Sequence, residues 1–153
     1  MATLVPKNPR LKTGELRHVQ VPSAAVTWTA GQWLFAASGL ATACASDATA
    51  VQYVALEDQA VAPSSGDMVE VGLIEAGQTY ELFELNGTLA AANVGENYGL
   101  DVTSNIVTLD VAETSAAAVK IVRLAADYEP ERNDSADVSA RCEVRVLASV
   151  IDG

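Results

Sequence analysis

The chain has 153 residues, half of them apolar and 19% charged, with a formal net charge of −11. That is one domain's worth of chain, long enough to bury a core of its own, and so acidic a balance disfavours nucleic acid, because phosphate binding needs a clustered basic surface that releases counterions. No apolar run approaches the roughly 20 residues that span a bilayer; the best, Trp33–Ala45, is interrupted by Ser38, Gly39 and Thr42, so no membrane partner is expected.

In chain order, Met1–Ala25 carries Pro6, Pro9, Gly14 and Pro22, spaced so that neither a helix nor a long strand persists. It reads as an extended N-terminal arm (1–25) ahead of a β-rich body (26–153). Lys7, Arg10, Lys12 and Glu15 stand where a signal peptide needs a continuous apolar stretch, so folding in a cytoplasm is expected. Trp28 and Trp33 follow at the junction of arm and body, as a plug for a small core or an anchor for an interface.

Beyond them the chain becomes short segments rich in Val, Thr, Tyr and Leu, punctuated every eight to twelve residues by Gly, Asn, Asp, Pro or Ser. The segments are Gln32–Ala37, Val51–Leu56, Met68–Ile74, Thr79–Leu85, Tyr98–Val102, Ile106–Val111, Val119–Leu124 and Cys142–Val150. Glu75–Gln78 and Ser104–Asn105 are expected to turn hairpins. Ala112–Ala126 also fits a helix, but its β-branched Val119, Ile121 and Val122 favour a turn and then a strand. Glu129–Ala140, with Pro130 and Asn133–Ser135, reads as a long exposed loop. The whole predicts an all-β fold, a small antiparallel β-barrel or β-sandwich with an extended arm.

Two features concern stability. Alanine accounts for 27 of the apolar residues and Phe, Trp and Met together for only six, so the core is thin and a homo-oligomer is expected. Cys44 and Cys142 are too few and too far apart for a disulfide framework or a four-ligand zinc site, and read as buried small hydrophobes.

Charge is segregated along the chain. Lys7, Arg10, Lys12 and Arg17 lie near the start and Lys120, Arg123, Arg132, Arg141 and Arg145 near the end; between His18 and Val119 there are twelve carboxylates and no Lys or Arg. Signs of catalysis are sparse. His18, the only histidine, lies in the arm, and no Gly-rich phosphate loop is present. Glu81 with Glu84 is a conceivable glycosidase pair, and Asp101, Asn105 and Asp110 conceivable calcium ligands, although half-exposed strand carboxylates and turn residues bonding their own backbone are the commoner roles. No enzymatic activity, cofactor or metal is expected.

The succession Trp33–Gly39, Val51–Asp58, Gly66–Val71 and Ala76–Leu82, continued by Val94–Leu100, Leu109–Val111, Lys120–Leu124 and Cys142–Leu147, resembles the capsid decoration, or cement, proteins of tailed bacteriophages. The likeness spans Trp28–Val150 and leaves out the arm. It implies a structural protein on the virion exterior that binds the outside of an icosahedral shell, bridges major capsid subunits, and forms trimers or dimers. On that footing the candidate capsid or oligomer interface comprises Leu4, Val5, Pro6, Lys7, Arg10, Leu11, Lys12 and Arg17 of the arm together with Trp28 and Trp33. The rival expectation is a carbohydrate-binding or adhesin-like β-module that uses the tryptophans and exposed carboxylates.

Overall fold

The computed structural model describes residues 4–85, 87–132 and 136–152. The strands are β1 (Arg10–Thr13), β2 (Arg17–Pro22), β3 (Trp33–Ala37), β4 (Leu40–Ala43), β5 (Tyr53–Ala55), β6 (Met68–Leu73), β7 (Thr79–Phe83), β8 (Asn97–Thr103), β9 (Ile106–Asp110), β10 (Val119–Leu124) and β11 (Arg141–Val146). Three single-turn α-helices, α1 (Ala125–Tyr128), α2 (Ala136–Ser139) and α3 (Ala148–Ile151), and two 3-10 turns, Ala91–Asn93 and Pro130–Arg132, complete the regular structure among the described residues. The fold is all-β. One sheet has the order β1-β7-β11-β10-β8-β9, the other β2-β6-β5-β3-β4, and every ladder is antiparallel. Both sheets curl. Glu84, just past β7, meets Leu109 of β9 through a single parallel bridge, and Ser23, just past β2, meets Ala41 of β4 in the same way. Neither curl closes into a full barrel ladder.

Period-two alternation lets the five-stranded sheet bury both of its faces. Trp33 and Val54 point into the main core with Tyr80, Leu82, Leu100, Leu109, Ile121 and Val144 of the six-stranded sheet. Their neighbours Leu34 and Ala55 point the other way, into a second core with Val71, Ala41 and Trp28. Trp33 is fully buried and stands edge-on to Tyr80, ring centroids 5.4 Å apart at 84°. Trp28 is held over the second core by paired backbone bonds with Gln59. The two tryptophans therefore plug separate cores. Cys44 and Cys142 are free and buried, and burial pushes both thiols up to about 12.

The segment expected as a free arm is part of the body across residues 10–22. β1 forms the edge beside β7, and β2 pairs along its whole length with β6. Prolines shorten these strands without preventing them: Pro22 ends β2, and Pro9 lies buried just before β1. Leu16, between the strands, packs on Gly72 so closely that a β-carbon there would come within 2.5 Å of it. Asn8 acts as a staple. Its amide donates to Thr29 Oγ1 at 3.0 Å and to the Asn105 carbonyl at 3.1 Å, and its carbonyl oxygen accepts from the Val107 amide at 2.8 Å. Met1–Thr3 lie outside the described residues.

Three other expectations change. Glu75–Gln78 does turn the chain, but from β6 into a different sheet, so it is a corner and not a hairpin. Buried Gln78 holds that corner: its side chain accepts from the Glu75 amide and donates to the carbonyls of Glu15 and Leu73, taking up groups a hairpin would pair. Ser104–Asn105 is a true hairpin turn, both residues having φ above +50°, as a two-residue type I′ loop requires. The final strand stops at Val146 and α3 follows, with Val150 buried. Glu129–Ala140 is structured where described, its α2 inserting a fully buried Val138; Asn133–Ser135 lie outside the described residues.

A chain lacking residues 1–20 loses β1 and most of β2 and bares the edges of β7 and β6. It is expected to lose cooperative thermal unfolding by circular dichroism. Asn8→Ala, which only removes the staple, should cost about 1–3 kcal/mol in urea unfolding.

Candidate functional site

The side chains that gather into one site lie on the outer face of the six-stranded sheet. Arg10, Glu81, Glu143 and Arg123 are successive cross-strand partners on β1, β7, β11 and β10. This row places two buried glutamates directly opposite each other, an arrangement that is repulsive unless neutralised. Each has a flanking cation: Arg10 reaches Glu81 at 3.1 Å, and Arg123 Nε reaches Glu143 at 2.6 Å. A β-bulge makes the second pairing possible. Lys120 opposes Arg145 and Ile121 opposes Val144, but the register then skips Val122 so that Arg123 meets Glu143.

Arg141 neutralises the other side. Its guanidinium donates to Glu81 Oε2 at 2.7 Å and to both oxygens of Glu129, at 3.1 and 2.7 Å, and its Nε donates to Asp137. The side chain is only 6% exposed, so these are desolvated, charge-assisted bonds. Hydrogen bonding to Arg141 holds Glu129 below the ordinary carboxylate range, and the same bonds raise the arginine above its own. Burial alone would raise Glu143, but hydrogen bonds from Thr79 and Arg123 outweigh it and hold it low.

Tyr128, at the end of α1, closes the row from above. Its hydroxyl donates to Glu81 Oε2 at 2.8 Å, and burial with that bond raises its pKa, so it remains a donor. Lys12 lies 4.1 Å from the centre of its ring and Arg123 4.8 Å. Lys12 reaches it from a register shift in β1, between Leu11 and Thr13. Beside the row opens a charged cleft of about 370 Å³, rimmed by Lys7, Arg10, Phe83 and Arg132.

Of the candidate interface residues, Lys7, Arg10 and Lys12 come together here. Leu4 is half-buried at a separate cleft near Glu84 and Leu89, Val5 is 66% exposed, and Pro6 is half-buried. Leu11 packs against the main core, and Arg17 pairs with Glu75 at 3.2 Å on the other sheet. Trp33, at 0% exposed, and Trp28, at 4%, are core residues and present no interface. Glu81 and Glu84 do not converge, since Glu81 serves the arginines whereas Glu84 accepts from the Val111 amide at 2.7 Å. Asp101 accepts from Ser46, and Asp110 from the amide of Ala112, two residues on. His18, exposed on β2, lies beside Glu70 of the neighbouring β6. No metal-ligating group of three or more gathers among the described residues, and no helix among them is long and apolar enough to cross a membrane.

Glu81, Tyr128, Glu129, Asp137, Arg141 and Glu143 were missed from sequence as a site. The available signal was Arg141, Glu143 and Arg145 at alternate positions of one strand, which reads equally as a wet face. No family model matches this chain, and no curated protein matches it.

Arg141→Ala leaves Glu81 buried against Glu143 with one cation fewer and is expected to cost about 3–5 kcal/mol in urea unfolding. For the intact protein the sign with pH follows from Glu129 and Glu143, whose folded pKa values are depressed. Their contribution is present above the unfolded carboxylate value and is lost as pH falls through the folded one. Stability measured from pH 7 downward should hold until about pH 4 and then drop, and the drop should be shallower in Arg141→Ala.

Proposed function

We propose that this chain is a capsid decoration protein, attaching to the outside of an assembled icosahedral shell and bridging neighbouring major capsid subunits. The observation that carries the reading is where the resembling segments fall. Trp33–Gly39 contains β3, Val51–Asp58 contains β5, Gly66–Val71 enters β6, Ala76–Leu82 enters β7, and Val94–Leu100, Leu109–Val111, Lys120–Leu124 and Cys142–Leu147 lie on β8 to β11. The likeness thus resides in the elements that build both sheets rather than in turns of common composition. A compact β-module with its apolar residues committed to two cores suits a protein that works by contact with a surface. Attachment at several points, and association with copies of itself, give such a module avidity beyond any single contact.

One observation favours the rival, a carbohydrate-binding module: Trp28, Glu57, Asp58 and Glu70 line a single groove of about 350 Å³. Against it, the Trp28 ring belongs to the second core and offers little face for stacking a sugar.

The test is sedimentation and heating of empty tailed-phage capsids incubated with this protein. Decorated particles are expected to pellet with the protein bound and to release their contents at a higher temperature than bare ones. Identical melting with no co-sedimentation overturns the reading, and a change in Trp fluorescence on titrating polysaccharides would favour the rival.

A further inference from the structure

Folding reverses the segregation of charge seen along the chain. Of the nine Lys and Arg residues, all but Arg17 lie on or beside the outer face of the six-stranded sheet, because β1, β10 and β11 bring both ends of the chain around β7. On this face Arg10, Arg123 and Arg141 have carboxylate partners. Lys120 and Arg145 do not. They are direct cross-strand partners on β10 and β11, both exposed, and neither forms an ion pair with a described residue. On the far side Lys120 pairs with uncharged Asn97 of β8. Like charges directly opposed in a sheet are destabilising, so this pair works against the fold that carries it.

We propose that Lys120 and Arg145 form the centre of a docking face for an acidic protein surface, with Lys7 at the cleft as an outlying contact. Arg145 and Arg141 are four residues apart on one strand, roughly 13 Å at about 3.3 Å per residue, so the free pair and the cleft contact separate points of a partner. The chemistry favours discrete carboxylates over nucleic acid. Glu81, Glu129, Asp137 and Glu143 lie between the cations of the same face, and they and the net charge of −11 would repel a continuous polyphosphate. Carboxylates of a folded partner can be placed opposite the free cations and clear of the glutamates. The inference rests on the decoration reading only in naming the shell as bearer of that acidic surface; the chemistry of the face stands by itself.

Lys120→Glu separates docking from folding. It places a glutamate opposite Arg145, so the variant should melt about 1–3 °C higher than the parent while losing the docking charge. With a peptide whose glutamates are separated by Gly-Ser linkers as probe at 0.15 M salt, the full chain should bind, and Lys120→Glu and Lys120→Gln/Arg145→Gln should bind about tenfold or more weakly, with a shallower salt dependence. Equal binding by parent and variants overturns the proposal, as does tighter binding of the parent to a 30-base-pair DNA duplex than to the spaced-glutamate peptide. Run beside capsid sedimentation, the outcomes separate. Capsid binding untouched by these substitutions removes the proposed face and keeps the decoration reading, whereas charge-dependent binding of the spaced-glutamate peptide without capsid binding does the reverse.

Discussion

Glu81 and Glu143 face each other across β7 and β11 beneath a tyrosine, and the outer half of this protein is arranged around the need to neutralise them. Two buried carboxylates at a cross-strand position are tolerable only with cations within hydrogen-bonding reach. Between His18 and Val119 the chain has none to offer. The cations come instead from both ends: Arg10 on one side strand, Arg123 on the other, and Arg141 from β11 itself. This accounts for the terminal strands flanking β7 and for the bulge that exchanges Val122 for Arg123. It also accounts for α1 and α2, which bring Tyr128 and Asp137 to close the row. A one-residue slip of β7 or β11 would drive a glutamate into the core, so the network penalises wrong registers more strongly than an apolar row would.

Alanine-rich composition has a different consequence. The second core, inside the curl of the five-stranded sheet, includes Ala41, Ala43 and Ala55 with several valines. Small side chains let that sheet bend until Ser23 reaches Ala41, and one tryptophan then suffices to plug the space. The larger residues, Trp33, Tyr80, Leu82 and Ile121 among them, are gathered between the sheets. Two cores divided by one sheet bury most of the large apolar side chains the chain has.

The surface is unequal. The side near Trp28 carries exposed Glu57, Asp58 and Glu70, while the opposite sheet carries nearly all the cations, half of them already paired with carboxylates. A rigid, internally neutral row keeps the few free cations at fixed separations. On the proposed decoration reading, the cationic face meets the shell and the acidic face is left to solvent.

Much of the fold was legible locally. Alternation and turn residues located β3, β5 to β10 and the start of β11, because strand period and positive-φ turns are properties of a few consecutive residues. The Ser104–Asn105 hairpin was legible for that reason. The Glu75–Gln78 corner was misread because a turn and a hairpin look alike until a distant group, here the Glu15 carbonyl bonded by Gln78, decides the direction in which the chain leaves. The arm was misread because proline spacing limits strand length but does not report the open edges of β6 and β7, which lie some fifty residues and more along the chain. The site was least legible. Glu81 and Glu143 are 62 positions apart, and only the pairing of β7 with β11 makes each the other's neighbour. The sequence by itself determined that the chain is all-β, strongly acidic and basic only at its ends. The tertiary structure alone decided that those ends converge on one face, because which strands lie side by side depends on pairings between distant segments that no local pattern encodes.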